Sequence, residues 1–450
     1  MRRAVPLRSA GRRGTGLTLV ALVATLAFAG GQPAFAEEDP QPRPARPPLT
    51  DPGPLPPKPM ATGDVSTEDL PAGFASWQAL FDEQRRLNSV ADRIVAAGGA
   101  GYGGMVVDPE NHDVRLYWKG ALPAAVQQAV DAGRTVAPVR VHPAAYTDAE
   151  LRAEAQRWLE SGLVSDAYAK ADGSGVMVEV AAPESAGPPQ LPGGAQASYT
   201  VRYGQSAVVP VTGSPLVTGP PQAPAEDDAV ASPYPYSRQY DASPFWGGSK
   251  FYSPSGGCTT GFAVTDNEGY AGLLTAGHCG EPGDVVTTSW APDVIGQIWW
   301  DWDYQDISLV WVYSNVEGRV YTGPWNSTYG RPINSAATNY VGNYVCVNGA
   351  SSGEHCAVKV YYVSPSDVTI RAERTKAGAC AAAHGDSGGP VISQSTGAAF
   401  GYGIISAGQN AVSTCWAGGV QLAGYHRVHY KGLKFALGYF GATLRTASYY

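Results

Sequence analysis

The sequence is poor in cysteine and in charge. Its 450 residues include only six cysteines, none of them before residue 258, and charged residues make up 16% of the chain. No basic patch accompanies the formal net charge of −8, which argues against a nucleic-acid partner. Beyond the N-terminus, no apolar run reaches the length of a transmembrane helix. We therefore expect neither a nucleic-acid-binding protein nor one that stays in a membrane after export.

The N-terminus has the pattern of an export signal. Arginines precede an apolar run from Leu17 to Phe28, and Ala34-Phe35-Ala36 offers a small-residue cleavage site. We predict a signal peptide over residues 1–36 and a secreted, extracellular protein. An even number of cysteines in an exported chain indicates disulfides. Zinc binding is the rival interpretation, but no two cysteines have the close spacing of zinc ligands.

A nucleophilic serine is predicted within residues 385–390, which read Gly-Asp-Ser-Gly-Gly-Pro. The glycines let the backbone approach a substrate carbonyl without a Cβ in the way. The amides of Gly385 and Ser387 can then point at one oxygen and stabilise the charge of a tetrahedral intermediate. A Gly/Ser-rich surface turn is the alternative, and the match over the whole motif disfavours it.

A serine nucleophile needs a base, and the segment Leu-Leu-Thr-Ala-Gly-His-Cys supplies His278. An imidazole titrates near neutral pH, so it can take the serine proton and return it to a leaving group. Asp306 is the predicted carboxylate that orients the imidazole, because it heads the alternating pattern of a half-buried strand. Asp301 and Asp303, in a polar and aromatic turn, are its rivals.

These motifs, in the order histidine, aspartate, serine, resemble those of the chymotrypsin-like serine proteases. The bacterial streptogrisins and alpha-lytic protease fit best, because residues 345–356 are similar to a disulfide loop of that family and 245–248 to its N-terminal segment. The resemblance covers roughly 240–450 and implies a mainly β fold of two antiparallel β-barrels with the triad between them. It also implies three disulfides, which are Cys258–Cys279, Cys346–Cys356 and Cys380–Cys415.

Two features depart from the family pattern. In alpha-lytic protease an arginine follows the first cysteine of that disulfide loop and pairs with the aspartate before the nucleophile, whereas this chain has Val347 there. A buried Asp386 then needs another cation or several hydrogen-bond donors. The segment from Cys380 to Ser387 is also one residue longer than in the streptogrisins, which leaves the pocket alignment open by one place.

The resemblance places a specificity pocket just before the nucleophile and along a facing wall. Its residues are Ala381, Ala382, Ala383, Ser406, Ala407 and Gly408. All are uncharged, whereas a buried Lys or Arg would need an acid, so we expect an apolar or aromatic P1 residue, the one before the cleaved bond. His384, at the rim, is expected to face solvent.

Residues 37–236 are predicted to be a pro-region that assists folding and blocks the active site, as in the family. A small α+β part is expected at about 66–181, followed by a Pro/Gly-rich linker over 182–236. A permanent accessory domain is the alternative. In the linker, Tyr236 and Tyr240 are candidate sites of self-processing by an enzyme with an apolar or aromatic P1 preference.

Several local elements are expected from pattern. They are a helix over Phe74–Val95, a hairpin at 105–118, a capping box at 147–150, a hairpin at Asp172-Gly173 and a strand pair at 198–212. The tryptophans of the protease region could form a carbohydrate-binding face, but packing of the barrel is preferred. They are Trp299, Trp300, Trp302 and Trp311.

The predicted function is that of a secreted zymogen whose serine endopeptidase domain covers 237–450 and acts on proteins or peptides. We expect a monomer that needs no metal and no organic cofactor. One alternative is a secreted binding protein on an inactive protease scaffold. The other is an esterase that uses the same triad, because acyl chemistry is shared.

Overall fold

The computed structural model describes residues 58–59, 69–211, 236–288 and 294–447. The predicted signal peptide and linker residues 212–235 lie outside these ranges. Over the described residues the chain is mainly β, as predicted, with 27 strands and four α-helices. No helix in this part of the chain is both long enough and apolar enough to span a membrane.

The N-terminal part is a small α+β arrangement of two three-stranded sheets, β1-β2-β3 and β4-β5-β6. The expected first helix, both hairpins and the capping box at Thr147 and Glu150 are all present. The elements are α1 (Trp77–Ala96), β1 (Tyr102–Asp108), β2 (Asp113–Trp118), α2 (Ala124–Arg134), β3 (Val139–Pro143), α3 (Asp148–Glu160), β4 (Asp166–Ala169), β5 (Val176–Glu179), β6 (Tyr199–Arg202) and β7 (Val209–Pro210).

The first barrel is built on an eight-stranded sheet in the order β10-β9-β13-β14-β15-β12-β11-β27. Its strands are β9 (Lys250–Ser253), β10 (Gly256–Thr259), β11 (Ala263–Thr265), β12 (Ala271–Thr275), β13 (Val285–Thr287), β14 (Val294–Trp302), β15 (Ile307–Val312) and β27 (Thr443–Leu444). The alternating pattern of β15 predicted burial on one face only, but the strand is buried on both faces. Ile307 and Leu309 join one apolar core, while Val310 and Val312 join another on the opposite face.

The second barrel closes because β26 pairs with both β20 and β23, around the order β20-β19-β18-β22-β23-β26. Strands β8, β16, β17 and β21 extend the same sheet, and β24-β25 form a separate hairpin. The remaining elements are β8 (Phe245–Gly247), β16 (Val316–Tyr321), β17 (Gly330–Ala336), β18 (Tyr344–Gly349), β19 (Gly353–Val363), β20 (Thr369–Arg374), β21 (Ala382–Ala383), β22 (Pro390–Ser395), β23 (Ala398–Val412), β24 (Trp416–Ala417), β25 (Val420–Gln421), β26 (Gly424–Gly432) and α4 (Leu433–Tyr439).

The predicted strand pair at 198–212 is wrong. β6 runs parallel to β5, and β7 pairs antiparallel with β23 of the second barrel, so the two segments never pair with each other. β6 instead completes a three-stranded sheet beside β5, and β7 joins the large sheet of the second barrel, where unpaired N–H and C=O groups are available to a strand. Both strands lie inside the segment that was predicted to be a linker.

The tryptophans pack against other aromatic rings of the protein. Trp302 stacks on Tyr439 with ring centroids 4.2 Å apart, and Trp300 meets Phe440 edge-on. Trp311 is only 6% exposed. These contacts favour barrel packing over a carbohydrate-binding face.

Candidate active site

The turn that carries Ser387 lies between β21 and β22 and requires glycine on both sides of the Asp-Ser pair. Gly385 has φ of 88° and Gly388 has φ of 85°, values that L side chains rarely adopt. A Cβ would also lie 2.3 Å from Ser351 Oγ at the first position and 2.0 Å from Thr275 Oγ1 at the second. The motif therefore exists because only glycine lets this turn approach its neighbours so closely.

His278 lies in the short 3₁₀ turn Gly277–Cys279 that follows β12. The disulfide Cys258–Cys279 ties this turn to β10, as the resemblance implied. The other two expected disulfides, Cys346–Cys356 and Cys380–Cys415, are also present. His278 Nε2 lies 2.7 Å from Ser387 Oγ, within hydrogen-bond distance for proton transfer.

Asp306 is the carboxylate at the other side of the imidazole. Its Oδ1 lies 2.7 Å from His278 Nδ1 and accepts the His278 backbone N–H at 2.9 Å, while Ser406 donates its hydroxyl to Oδ2. Burial raises the pKa of Asp306, but the hydrogen bonds and the charge of His278 outweigh it and bring the pKa below its usual value. An ionised Asp306 favours the tautomer with the proton on Nδ1, which leaves Nε2 free to accept. Asp301 instead lies on β14, paired across the sheet with Ser308.

Asp386, next to the nucleophile, is fully buried and binds four donors rather than an arginine. The backbone N–H groups of Ser351, Ser352 and Ala383 donate to it at 2.9, 3.0 and 2.7 Å, and the Ser352 hydroxyl donates as well. Burial raises the pKa of this carboxyl, and the hydrogen bonds act in the opposite direction. Several donors therefore satisfy this buried carboxylate without an arginine at the position of Val347.

The chain's own residues 209–211 occupy the groove beside the nucleophile. Val209 and Pro210 pair antiparallel with Gly408 and Ala407. Val211 continues this pairing, since its N–H donates to Ser406 O at 3.4 Å and its carbonyl accepts the Gly385 N–H at 2.9 Å. Sequence reasoning missed this contact and interpreted the apolar run around Val209 as half of a local strand pair.

The predicted pocket residues lie around this tail. Ala381, Ala382 and Ala383 are fully buried, and the last two pair with Tyr425 and Gly424 of β26. The Tyr425 ring lies directly against Gly408, where an added Cβ would be 2.3 Å from Cδ2. The pocket wall therefore includes an aromatic ring that the sequence analysis did not place there.

His384 does not simply face solvent, and that expectation is wrong. Its Nε2 lies 2.7 Å from the Tyr425 hydroxyl, and the two rings are 5.5 Å apart. The side chain is half-buried because this hydrogen bond draws it toward the pocket wall.

No protein-family model matches this sequence, and no curated protein matches it. Solved structures do match. The Nocardiopsis protease and Thermobifida fusca protease A are each 24% identical with a TM-score of 0.34, and each match covers 45% of this chain and 98% of the other. A protein described as a glutamic acid specific serine protease, with a histidine triad in substrate binding, is 24% identical with a TM-score of 0.35, over 44% of this chain and 100% of the other. Such values transfer neither an activity nor a substrate. All three matched structures are of proteases, and each match covers less than half of this chain.

Proposed function

We propose that this chain is the secreted zymogen of a serine endopeptidase, with a signal peptide at 1–36, a pro-region at 37–236 and a protease domain at 237–450. The observation that carries the proposal is the line of hydrogen bonds from Asp306 through His278 to Ser387, with 2.7 Å at each imidazole nitrogen. Three disulfides support export, since such bonds persist in oxidising compartments.

The proposed reaction is acyl transfer through an acyl-enzyme. Ser387 Oγ attacks the scissile carbonyl while His278 Nε2 takes its proton and then delivers it to the leaving amine. Asp306 holds the imidazole tautomer and stabilises the imidazolium. The amides of Gly385 and Ser387 bind the developing oxyanion, and water then releases the acyl group by the same base.

The tail at 209–211 supports a latent form of the enzyme. A substrate needs an antiparallel pairing with the groove and a carbonyl at the oxyanion hole, and the tail makes the pairing and places the Val211 carbonyl on the Gly385 N–H. We infer that Val211 occupies the P1 position, that the peptide bond after it is a cleavage site, and that the tail blocks the groove until it leaves.

The pocket geometry narrows the proposed P1 preference to small aliphatic residues. Val211 is fully buried where the P1 side chain belongs. Tyr425, held by His384, fills the space against Gly408 that a long side chain would otherwise use. An aromatic P1 residue would have to displace this ring, whereas a valine fits beside it.

Contacts between the α+β part and the barrels support a role of the pro-region in folding. The α1 residues Trp77, Leu80 and Phe81 belong to the same apolar core as strands of the barrels. Gln84 Nε2 donates to Tyr344 O at 3.0 Å, and Gln84 Oε1 accepts the Tyr344 backbone N–H at 2.6 Å. Because distant β-strands must meet before their contacts offset the entropy of loop closure, a helix that holds β18 lowers that barrier.

Two further ion pairs join the α+β part to the protease domain. Glu179 lies 3.0 Å from Arg427, and both side chains are buried, while Asp166 lies 2.6 Å from Arg371. Removing either carboxylate would leave a buried cation without that partner, which costs several kcal/mol by analogy with other buried pairs, roughly 3–5. These contacts support a pro-region that stays bound after the chain is cut.

A single assay tests the proposed activity. The full chain and its Ser387→Ala variant are secreted, purified and compared on matched peptide and ester substrates, with labelling by a serine-directed phosphonate. We expect labelling and peptide hydrolysis from the wild type alone. Turnover of esters but not of peptides would indicate an esterase. A mature protein that is neither labelled nor active would indicate a binding protein on the same scaffold.

A further inference from the structure

The segment 236–241, which begins the catalytic half of the described chain, is anchored inside it. The Arg238 backbone donates to Ser327 O at 2.8 Å and accepts from Lys250 N at 2.7 Å. The Arg238 side chain is fully buried. A buried guanidinium is costly unless its donors find acceptors.

The guanidinium of Arg238 binds four oxygens that belong to two neighbouring segments. Nη1 donates to Gly349 O at 3.0 Å and to Gly323 O at 3.2 Å. Nη2 donates to Tyr321 O at 2.9 Å and to Asn348 Oδ1 at 3.3 Å. A planar fork of donors suits this set of diverging acceptors, whereas an ammonium group does not.

Gln239, the next residue, holds the same loop. Its Nε2 donates to Ala350 O at 2.5 Å and to Trp325 O at 2.6 Å. Arg238 and Gln239 thus bind the carbonyls of two consecutive residues, Gly349 and Ala350. The amides of the two residues that follow them are the ones that bind Asp386.

The loop 348–352 therefore connects Arg238 to the oxyanion donors. Asp386 packs on the backbone of Gly349 so closely that a Cβ there would lie 1.9 Å from Asp386 Cγ. Asp386 lies between Gly385 and Ser387, whose amides form the proposed oxyanion hole. A shift of the loop would move the carboxylate and, with it, the peptide planes on either side.

The positive charge of Arg238, like its hydrogen bonds, supports the arrangement of the loop 348–352 and Asp386. Burial lowers the pKa of Arg238 to about 10, while Glu354 and Asp386 are the nearest negative charges that oppose the decrease. The group stays protonated at neutral pH, so its field favours an ionised Asp386 across Gly349.

We propose that Arg238 is a positioning residue for the oxyanion hole, acting through the loop 348–352 and Asp386. The inference rests on the proposed function. It also limits where maturation can cut, because a cut after Tyr240 would remove Arg238 and Gln239 from the mature chain. A cut after Tyr240 would therefore give a less active enzyme, whereas a cut that leaves Arg238 attached is compatible with full activity.

The test compares Arg238→Met and Arg238→Lys with Arg319→Met, each expressed as the full chain and matured. Arg319 is a matched control, since it is also buried but pairs with Glu317 on β16. For each enzyme, kcat and KM are measured on one P1-valine peptide. Inhibition constants are measured for a peptide aldehyde, whose adduct places an oxyanion in the hole, and for a product peptide, which does not.

For Arg238→Met we expect kcat to fall roughly 10- to 100-fold with KM nearly unchanged. Aldehyde binding should weaken by a similar factor, and product binding should not change. The kcat of Arg238→Lys should lie between those of the wild type and Arg238→Met, and Arg319→Met should keep the wild-type kcat. If Arg238→Met does not mature, the same comparison on Arg238→Lys decides.

Unchanged kcat in a matured Arg238 variant, or equal weakening of aldehyde and product binding, would overturn the positioning role. A wild type without peptidase activity would overturn the proposed function and this inference with it. An active wild type with an unaffected variant would overturn this inference alone.

Discussion

The carbonyl oxygen of Val211 accepts a hydrogen bond from the backbone N–H of Gly385 at 2.9 Å. Through this contact a residue outside the catalytic barrels occupies the donor that the proposed mechanism reserves for the oxyanion. Under the proposed function, Val211 therefore blocks the active site and occupies the position of a substrate residue.

Changing Val211 to Asp should prevent cleavage after residue 211 and weaken the block, because an unpaired carboxylate would enter an uncharged pocket. We expect the precursor to accumulate, with at least a tenfold smaller yield of a fragment that ends at Val211, measured by intact mass. Val208→Asp is the matched control, since Val208 directly precedes the tail and is 39% exposed. An unchanged fragment from the Val211→Asp chain would contradict the assignment.

Replacing the proposed triad members should abolish peptide hydrolysis. Ser387→Ala and His278→Ala should each lower kcat by about 10⁴-fold or more, because the residues act as a unit. Asp306→Asn should also lower kcat strongly, since an asparagine does not favour the required tautomer of His278. Asp301→Asn, a change of the same kind on β14, should have little effect in the same assay. A severe loss from Asp301→Asn together with an active Asp306→Asn would reverse the assignment.

Shortening Tyr425 should enlarge the P1 pocket. We expect the wild type to prefer Val or Ala at P1, and Tyr425→Ala to improve kcat/KM for Phe relative to Val by roughly 10- to 100-fold, since each added methylene is worth that order in a fitted pocket. The measurement is kcat/KM over peptides that differ only at P1. Tyr304→Ala, at a tyrosine 84% exposed, is the control. A wild-type preference for Phe or Glu would contradict the narrow pocket.

The proposed folding role of the pro-region can be tested on α1. Residues 237–450 expressed alone should give little active protease, and co-expressed 37–236 should restore it. Phe81→Asp in the pro-region should reduce the rescued activity tenfold or more, because Phe81 is 1% exposed in the shared core and its replacement buries a charge. Val95→Asp, 41% exposed on the same helix, should rescue normally. Full activity of 237–450 alone would make the α+β part an accessory domain.

Asp367 should make the folded chain less stable as pH rises. Burial raises its pKa to about 7, although Asn339 and Lys434 oppose the increase. The folded state therefore holds a proton that the unfolded state has already lost, and stability falls between about pH 4 and 7. Asp367→Asn keeps the shape, and asparagine tolerates the positive φ of 60° at this position.

In a Ser387→Ala background, which avoids self-digestion, Asp367→Asn should raise the Tm at pH 8 relative to its parent. The two proteins should converge toward pH 4, and the difference in free energy of unfolding at pH 8 should be on the order of 2–4 kcal/mol. A constant difference across the whole pH range would show that Asp367 does not titrate as described.

The sequence by itself determined the mainly β fold class, the presence of disulfides and the candidates for the site, whereas the three cysteine pairings were implied by the resemblance. The physical reason is that these features have local signatures. Gly385 and Gly388 are required by positive φ and close approach, and cysteine in an exported chain has one common fate. Motifs of this kind need only their own few residues to be recognised.

Only the tertiary structure decided what surrounds those residues. Val211 meets Gly385, Tyr425 fills the space at Gly408, and Arg238 supports the loop that holds Asp386. Val211 and Gly385, and likewise Arg238 and Gly349, are more than a hundred positions apart in the sequence. The apolar run around Val209 predicts a strand but not which sheet edge it joins, because edges offer equivalent backbone groups. The partner is selected by the packing of the whole chain.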